Sequence, residues 1–123
     1  MASSFDHCAA VVRKADKDRY LAALFVPAGK RGFLQALYAF DLELSAIAVR
    51  VREPLAGEMR LQWWREVLDG RRREEARASP VADALMQTLD RTGLAPTPLH
   101  ALLDAHSRDL YDQPVRSIDE LER

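Results

Sequence analysis

The chain has one cysteine, five glycines, no long apolar run and almost no net charge, and each shortage closes off a class of protein. A single Cys8 cannot form an internal disulfide, so no disulfide framework holds the fold, and a reducing compartment suits it. With 18 basic and 19 acidic residues the net charge is −1, which gives no general attraction to nucleic acid or to an anionic membrane. No stretch approaches the roughly 18 apolar residues of a membrane-spanning helix. The opening residues, MASSFDHCAAVVRKADKD, lack the apolar core of a secretory signal. There is no internal repeat and no low-complexity tract. His7, His100 and His106 show no zinc spacing with Cys8, and structural or solvated roles are expected for all three. The expectation is one cytoplasmic domain over residues 1–123, with no transmembrane segment and no nucleic-acid partner.

What is present is helical spacing. Punctuation falls at Pro27-Ala28-Gly29, Pro54, Gly70, Ser79-Pro80, Gly93 with Pro96 and Pro98, and Pro114. Leu34, Leu37, Tyr38, Leu44, Ile47, Ala48 and Val51 form one stripe of a helix over about residues 30–53, roughly 35 Å long at 1.5 Å per residue. Leu61, Trp64 and Leu68 form the next stripe, and Val81, Leu85 and Leu89 another, begun by a Ser79 cap with Pro80 at the first helical position. Leu99, Leu102, Leu103, His106 and Leu110 form the last. Few segments look like strands, so the fold class is all-α. The mixed-sign run Arg71 to Arg77 is expected to be an exposed linker.

The stretch from Pro27 to Trp64, PAGKRGFLQALYAFDLELSAIAVRVREPLAGEMRLQWW, resembles the first core helices of the squalene/phytoene synthase family, the head-to-head prenyl transferases. In catalytic members Ala-Phe or Ala-Tyr is followed by Cys-Arg, two residues and an Asp-Asp-x-x-Asp cluster. Here Ala39-Phe40 is followed by Asp41-Leu42, and the acidic positions fall on Ser45, Ala46 and Val49. The family's Ser-x-Ser-Phe element is replaced by Asp16-Lys17-Asp18-Arg19-Tyr20. Leu103 to Asp109 is similar to the family's helix just before its midpoint. The resemblance therefore implies a helical bundle equivalent to the N-terminal half of the isoprenoid synthase fold. Leu61-Gln62-Trp63-Trp64-Arg65 is similar to a non-transferase branch, the complex I assembly factors and their bacterial relatives.

The missing carboxylates matter because ionising an allylic diphosphate requires Mg²⁺, held by one or two carboxylates at a hard oxygen site. Ser45 and Val49 offer no anionic ligand, and Leu42 stands where a phosphate-reading Arg would be. No catalytic residue, no metal ligand set and no cofactor is expected, although catalytic relatives use Mg²⁺. The cavity-facing positions implied by the resemblance are Asp41, Ser45, Val49 and Asp109, which would line a binding site for an isoprenoid diphosphate or a lipid. Glu43 points about 200° away from Asp41, and Asp104 about 140° from Asp109, where pairing with Arg108 or Arg116 is expected. Trp64 belongs to the Leu61/Leu68 stripe. Trp63 faces sideways and is the candidate for partner contact. The leading expectation is a non-catalytic binding or assembly role, with self-association or a protein partner completing the helical fold. The alternative is half of a Mg²⁺-dependent prenyl transferase completed by another chain; a decayed reading frame is the third.

Overall fold

The computed structural model describes residues 3–50 and 53–111, with side chains at 48–50 and 111 outside the description. Among the described residues there are seven α-helices and no strand. The first begins with a reciprocal cap. Ser3 Oγ accepts the Asp6 N–H, and the Asp6 carboxylate accepts the Ser3 N–H, both at 3.1 Å, which satisfies two otherwise unpaired donors of α1 (Ser4–Ala15). Asp16 ends that helix and starts α2 (Lys17–Ala23), its carboxylate accepting the Arg19 N–H.

Arg31 shapes the turn that follows. Its Nε donates to the Ala23 carbonyl at 3.2 Å, and its Nη2 donates to Leu24 and Val26 at 3.1 and 3.3 Å. One guanidinium thus satisfies carbonyls that the end of α2 leaves without helical partners. Arg31→Ala is expected to lower stability by about 2 kcal/mol, as those partly buried acceptors lose a charged donor. A urea midpoint unchanged within error would contradict this role.

The central helix α3 (Ala28–Arg50) packs chiefly against α1 and α6 (Pro80–Thr92), which also pack against each other. Its fully buried face is Ala36, Ala39, Phe40, Leu44 and Ile47, whereas Leu34, Leu37 and Tyr38 are only partly buried. Leu44 and Ile47 of the expected stripe are buried as expected, while its first half is rotated off the buried face; the Ala48 side chain and Val51 lie outside the described residues. Large side chains dominate a hydrophobicity pattern, but a helix packed against two others also buries small residues, here Ala36 and Ala39.

The stripes of α4 (Pro54–Leu68) and α6 are buried as expected: Leu61, Trp64 and Leu68 in one, Val81, Leu85 and Leu89 in the other. Ser79 makes no side-chain cap, contrary to expectation; its carbonyl accepts the Asp83 N–H while Pro80 fills the first turn, where a missing N–H costs nothing. Gly93 ends α6 at φ 71°, a left-handed cap that L side chains resist. The last helix, α7 (Thr97–Tyr111), lies on α4, with Leu103 buried and Leu99, Leu102, His106 and Leu110 partly so. The crossing is close at Gly57, where a Cβ would stand 2.8 Å from Leu110 Cδ1.

The mixed-sign run is not a linker. Residues Arg73–Ala78 form a short helix, α5, that buries Ala76 against the core. Arg72 anchors its start by pairing with Glu66 at 2.8 Å and Glu75 at 2.9 Å. Alternating charge reads as a solvated segment, but here the opposite signs close on one another and one small residue suffices for a buried side.

Candidate functional site

Asp41 is the convergence point of three helices. From α2, Arg19 Nη1 donates to Asp41 Oδ2 at 2.9 Å, and Arg19 Nε lies 3.3 Å from Asp16 Oδ2. From α7, His106 Nε2 sits 3.7 Å from Asp41 Oδ1, an ionic partner when the imidazole is protonated. The Arg19 guanidinium also lies 5.1 Å from the Tyr38 ring centroid, one turn back along α3. Both oxygens of the Asp41 carboxylate therefore face cationic or potentially cationic groups.

The other expected positions are not drawn into this cluster. Ser45 is exposed one turn further along α3, and the Val49 side chain lies outside the described residues. Asp109 is exposed on α7; His106 is the α7 side chain that reaches Asp41. Asp104 pairs with Arg65 of α4 at 3.3 Å rather than with Arg108, and Arg65 also holds Glu58 at 3.2 Å, so this set clamps α4 to α7. Arg116 lies outside the described residues.

This donor set does not fit Mg²⁺. The ion asks for hard oxygen ligands in octahedral geometry, and the two carboxylates present are already engaged, Asp16 by Arg19 and Asp41 by Arg19 and His106. Leu42 and Ala46 line a separate groove of about 470 Å³ with Val11 and Ile47, bordered by Glu43 and Arg60, whose Oε2 and Nη2 are 3.9 Å apart. Glu43 thus faces away from Asp41, as its helical position requires. Among the described residues no three His, Cys, Asp or Glu side chains converge in a way that suits a metal ion.

Trp63 is partly buried and held on three sides. Its indole N–H donates to Glu75 Oε1 at 3.1 Å, its ring meets Trp64 edge-on at 5.1 Å, and the Arg60 guanidinium lies 4.3 Å from its centroid. The indole and Arg72 hydrogen bonds hold Glu75 below the usual carboxylate range. Trp64 is fully buried, and its indole N–H has no hydrogen-bond partner among the described residues.

Arg19 and His106 were the site residues that sequence reasoning missed. A signal for Arg19 was available: the base appears in the replaced Ser-x-Ser-Phe element of a chain that also gains an acid at 41. His106 had none, because 65 positions of chain separate it from Asp41 and only the docking of α7 on α3 joins them.

The helical bundle and its sequence together define a squalene/phytoene synthase family domain: the model for that family matches residues 12–123, and the chain belongs to it. Its curated relatives are proteins named NADH dehydrogenase (ubiquinone) complex I, assembly factor 6. The Bos taurus protein is 34% identical over 116 residues, 94% of this chain and 35% of the relative. The Homo sapiens protein is 34% identical over 118 residues, covering 95% and 35% respectively. The Drosophila melanogaster homolog is 31% identical over 122 residues, 94% and 36%. The chain thus spans about a third of the length of these relatives. No solved structure matches. No helix among the described residues is long and apolar enough to cross a membrane.

Proposed function

We propose that this chain is a non-catalytic family member that works through protein contacts in the assembly of a respiratory NADH dehydrogenase, in the cytoplasmic compartment and without a metal cofactor. The observation that carries the reading is Asp41: the carboxylate nearest the family's lost Asp cluster is committed to Arg19 and His106, and its neighbours at 42, 45 and 46 are Leu, Ser and Ala. Such a centre ties three helices together and leaves no carboxylate for Mg²⁺ or arginine for diphosphate. The names of the relatives support the same reading, since those proteins are assembly factors.

The surface that would meet a partner includes the exposed Leu55 and Met59, one turn apart on α4 and one turn before Trp63. Self-association through this face is part of the proposal. Deleting the gene from its host is expected to reduce assembled NADH dehydrogenase on native gels, and restoring the chain is expected to recover it. Unchanged assembly after deletion would overturn the reading.

A further inference from the structure

We propose that the turn between α2 and α3, with the groove between α1 and α2 beside it, docks on an anionic lipid bilayer. Three large apolar side chains are exposed together at this end of the molecule: Leu21 at 54%, Leu24 at 43% and Phe25 at 90%. Lys17, Leu21 and Leu24 follow one another at helical spacing along the outer side of α2, leading into Phe25. Isolated exposed leucines are ordinary, but a phenylalanine held almost wholly in water at a turn, flanked by two leucines, is a patch that an apolar phase would cover.

The backbone of this turn is prepared for such a phase. The N–H groups of Leu24, Phe25 and Val26 donate to Leu21, Ala22 and Ala23, and Arg31 supplies donors to the carbonyls of Ala23, Leu24 and Val26. Polar backbone that enters hydrocarbon unpaired costs several kcal/mol per group, and here those groups are paired from within. Arg31 also fixes the turn, so Phe25 is displayed without an ordering step.

Charge selects the kind of surface. Residues 13–31 hold six basic and two acidic side chains, a net of +4 in a chain whose total is −1. Arg19 and Arg31 are engaged internally, and Asp16 is paired with Arg19, leaving Arg13, Lys14, Lys17 and Lys30 exposed beside a lone Asp18. Arg13, Lys14 and Lys17 edge an open groove of about 470 Å³ with Tyr20, wide enough for a phosphate headgroup. Asp6 also borders it, but its carboxylate accepts the Ser3 N–H in the α1 cap. An apolar tip with cations along the same edge of the molecule, Lys30 beside the turn and Arg13, Lys14 and Lys17 at the other end of α2, is an arrangement that suits an anionic membrane. The inference is independent of the assembly reading and of the Asp41 centre.

The test is sedimentation of the full chain with vesicles of phosphatidylcholine alone or mixed with phosphatidylglycerol. Binding is expected to the mixed vesicles only and to weaken with salt. Phe25→Ser should reduce partitioning about tenfold or more, and Lys14→Gln with Lys17→Gln by roughly fivefold per charge, with melting temperatures unchanged because these side chains are exposed. In Phe25→Trp, the added emission should shift to the blue on anionic vesicles. Failure to sediment with anionic vesicles would overturn the proposal, as would equal binding to neutral ones or indifference to Phe25→Ser. Tighter binding to polyglutamate than to vesicles, with no emission shift, would overturn it in favour of an acidic protein partner.

Discussion

Trp64→Ala is expected to lower stability by about 3–5 kcal/mol, a large share of the roughly 5–15 kcal/mol that holds a domain of this size folded. Trp64 is completely buried, and its ring meets Phe40 edge-on at 4.9 Å and 69° while meeting Trp63 at 5.1 Å and 81°. It is the largest side chain in a core that joins α3 to α4. Removing it opens a cavity that the surrounding helices cannot fully close. Trp64→Phe makes the informative contrast. The indole N–H has no partner among the described residues, so replacing it with a smaller apolar ring removes an unpaired donor while keeping most of the volume. The Phe variant should fall within about 1.5 kcal/mol of the parent. Urea unfolding of both variants checks the pair, and an Ala variant as stable as the Phe variant would contradict this packing.

The second large effect concerns Cys8. Burial, with smaller contributions from the charges of Glu43 and Asp83, pushes its thiol from 9.0 up to about 12. The native protein therefore keeps the thiol proton between about pH 9 and 12, where an unfolded chain would lose it. The native state binds more protons in that window, so this contribution to stability is complete below pH 9 and declines as pH rises through the window toward 12, by at most about 1.4 kcal/mol per unit. At pH 8 the native thiolate fraction is about a thousandfold below that of an ordinary cysteine, so a thiol-reactive disulfide reagent should react slowly with native protein and at once on unfolding. Stability curves of the parent and Cys8→Ala measured from pH 8 to 11 should converge toward the alkaline end. Parallel curves with fast native reaction would contradict the burial.

The parts of the fold legible in the sequence were those set by local chemistry. Pro54 and Pro80 stand in the first turns of α4 and α6, and Gly93 closes α6, because these residues restrict or free φ wherever they occur. Trp64 was placed in the core from spacing alone. The capping box of α1 was also present in the pattern Ser3-x-x-Asp6 but went unread. What spacing could not supply was orientation among helices. The buried face of α3 takes in Ala36 and Ala39 beside Phe40, Leu44 and Ile47 because α1 and α6 both pack on it, and α5 is anchored where Arg72 pairs with Glu66 and Glu75. At the candidate site, the loss of the Asp cluster was plain in residues 45, 46 and 49, and the loss of the family's Arg in residue 42. That Asp41 would serve as a tie between α2 and α7 depends on positions 19, 41 and 106 meeting in space, which no local period encodes.

A domain that keeps the family's helical frame without its diphosphate chemistry, as proposed above, should turn over no prenyl diphosphate. The purified chain should be incubated with farnesyl or geranylgeranyl diphosphate and Mg²⁺, with the organic extract examined for condensed hydrocarbon and the aqueous phase for released diphosphate. Neither is expected above background, because Leu42, Ser45 and Ala46 supply no charged group for an anion or a metal and Asp41 is held by Arg19 and His106. Sustained Mg²⁺-dependent release of diphosphate, abolished by Asp41→Asn, would contradict it.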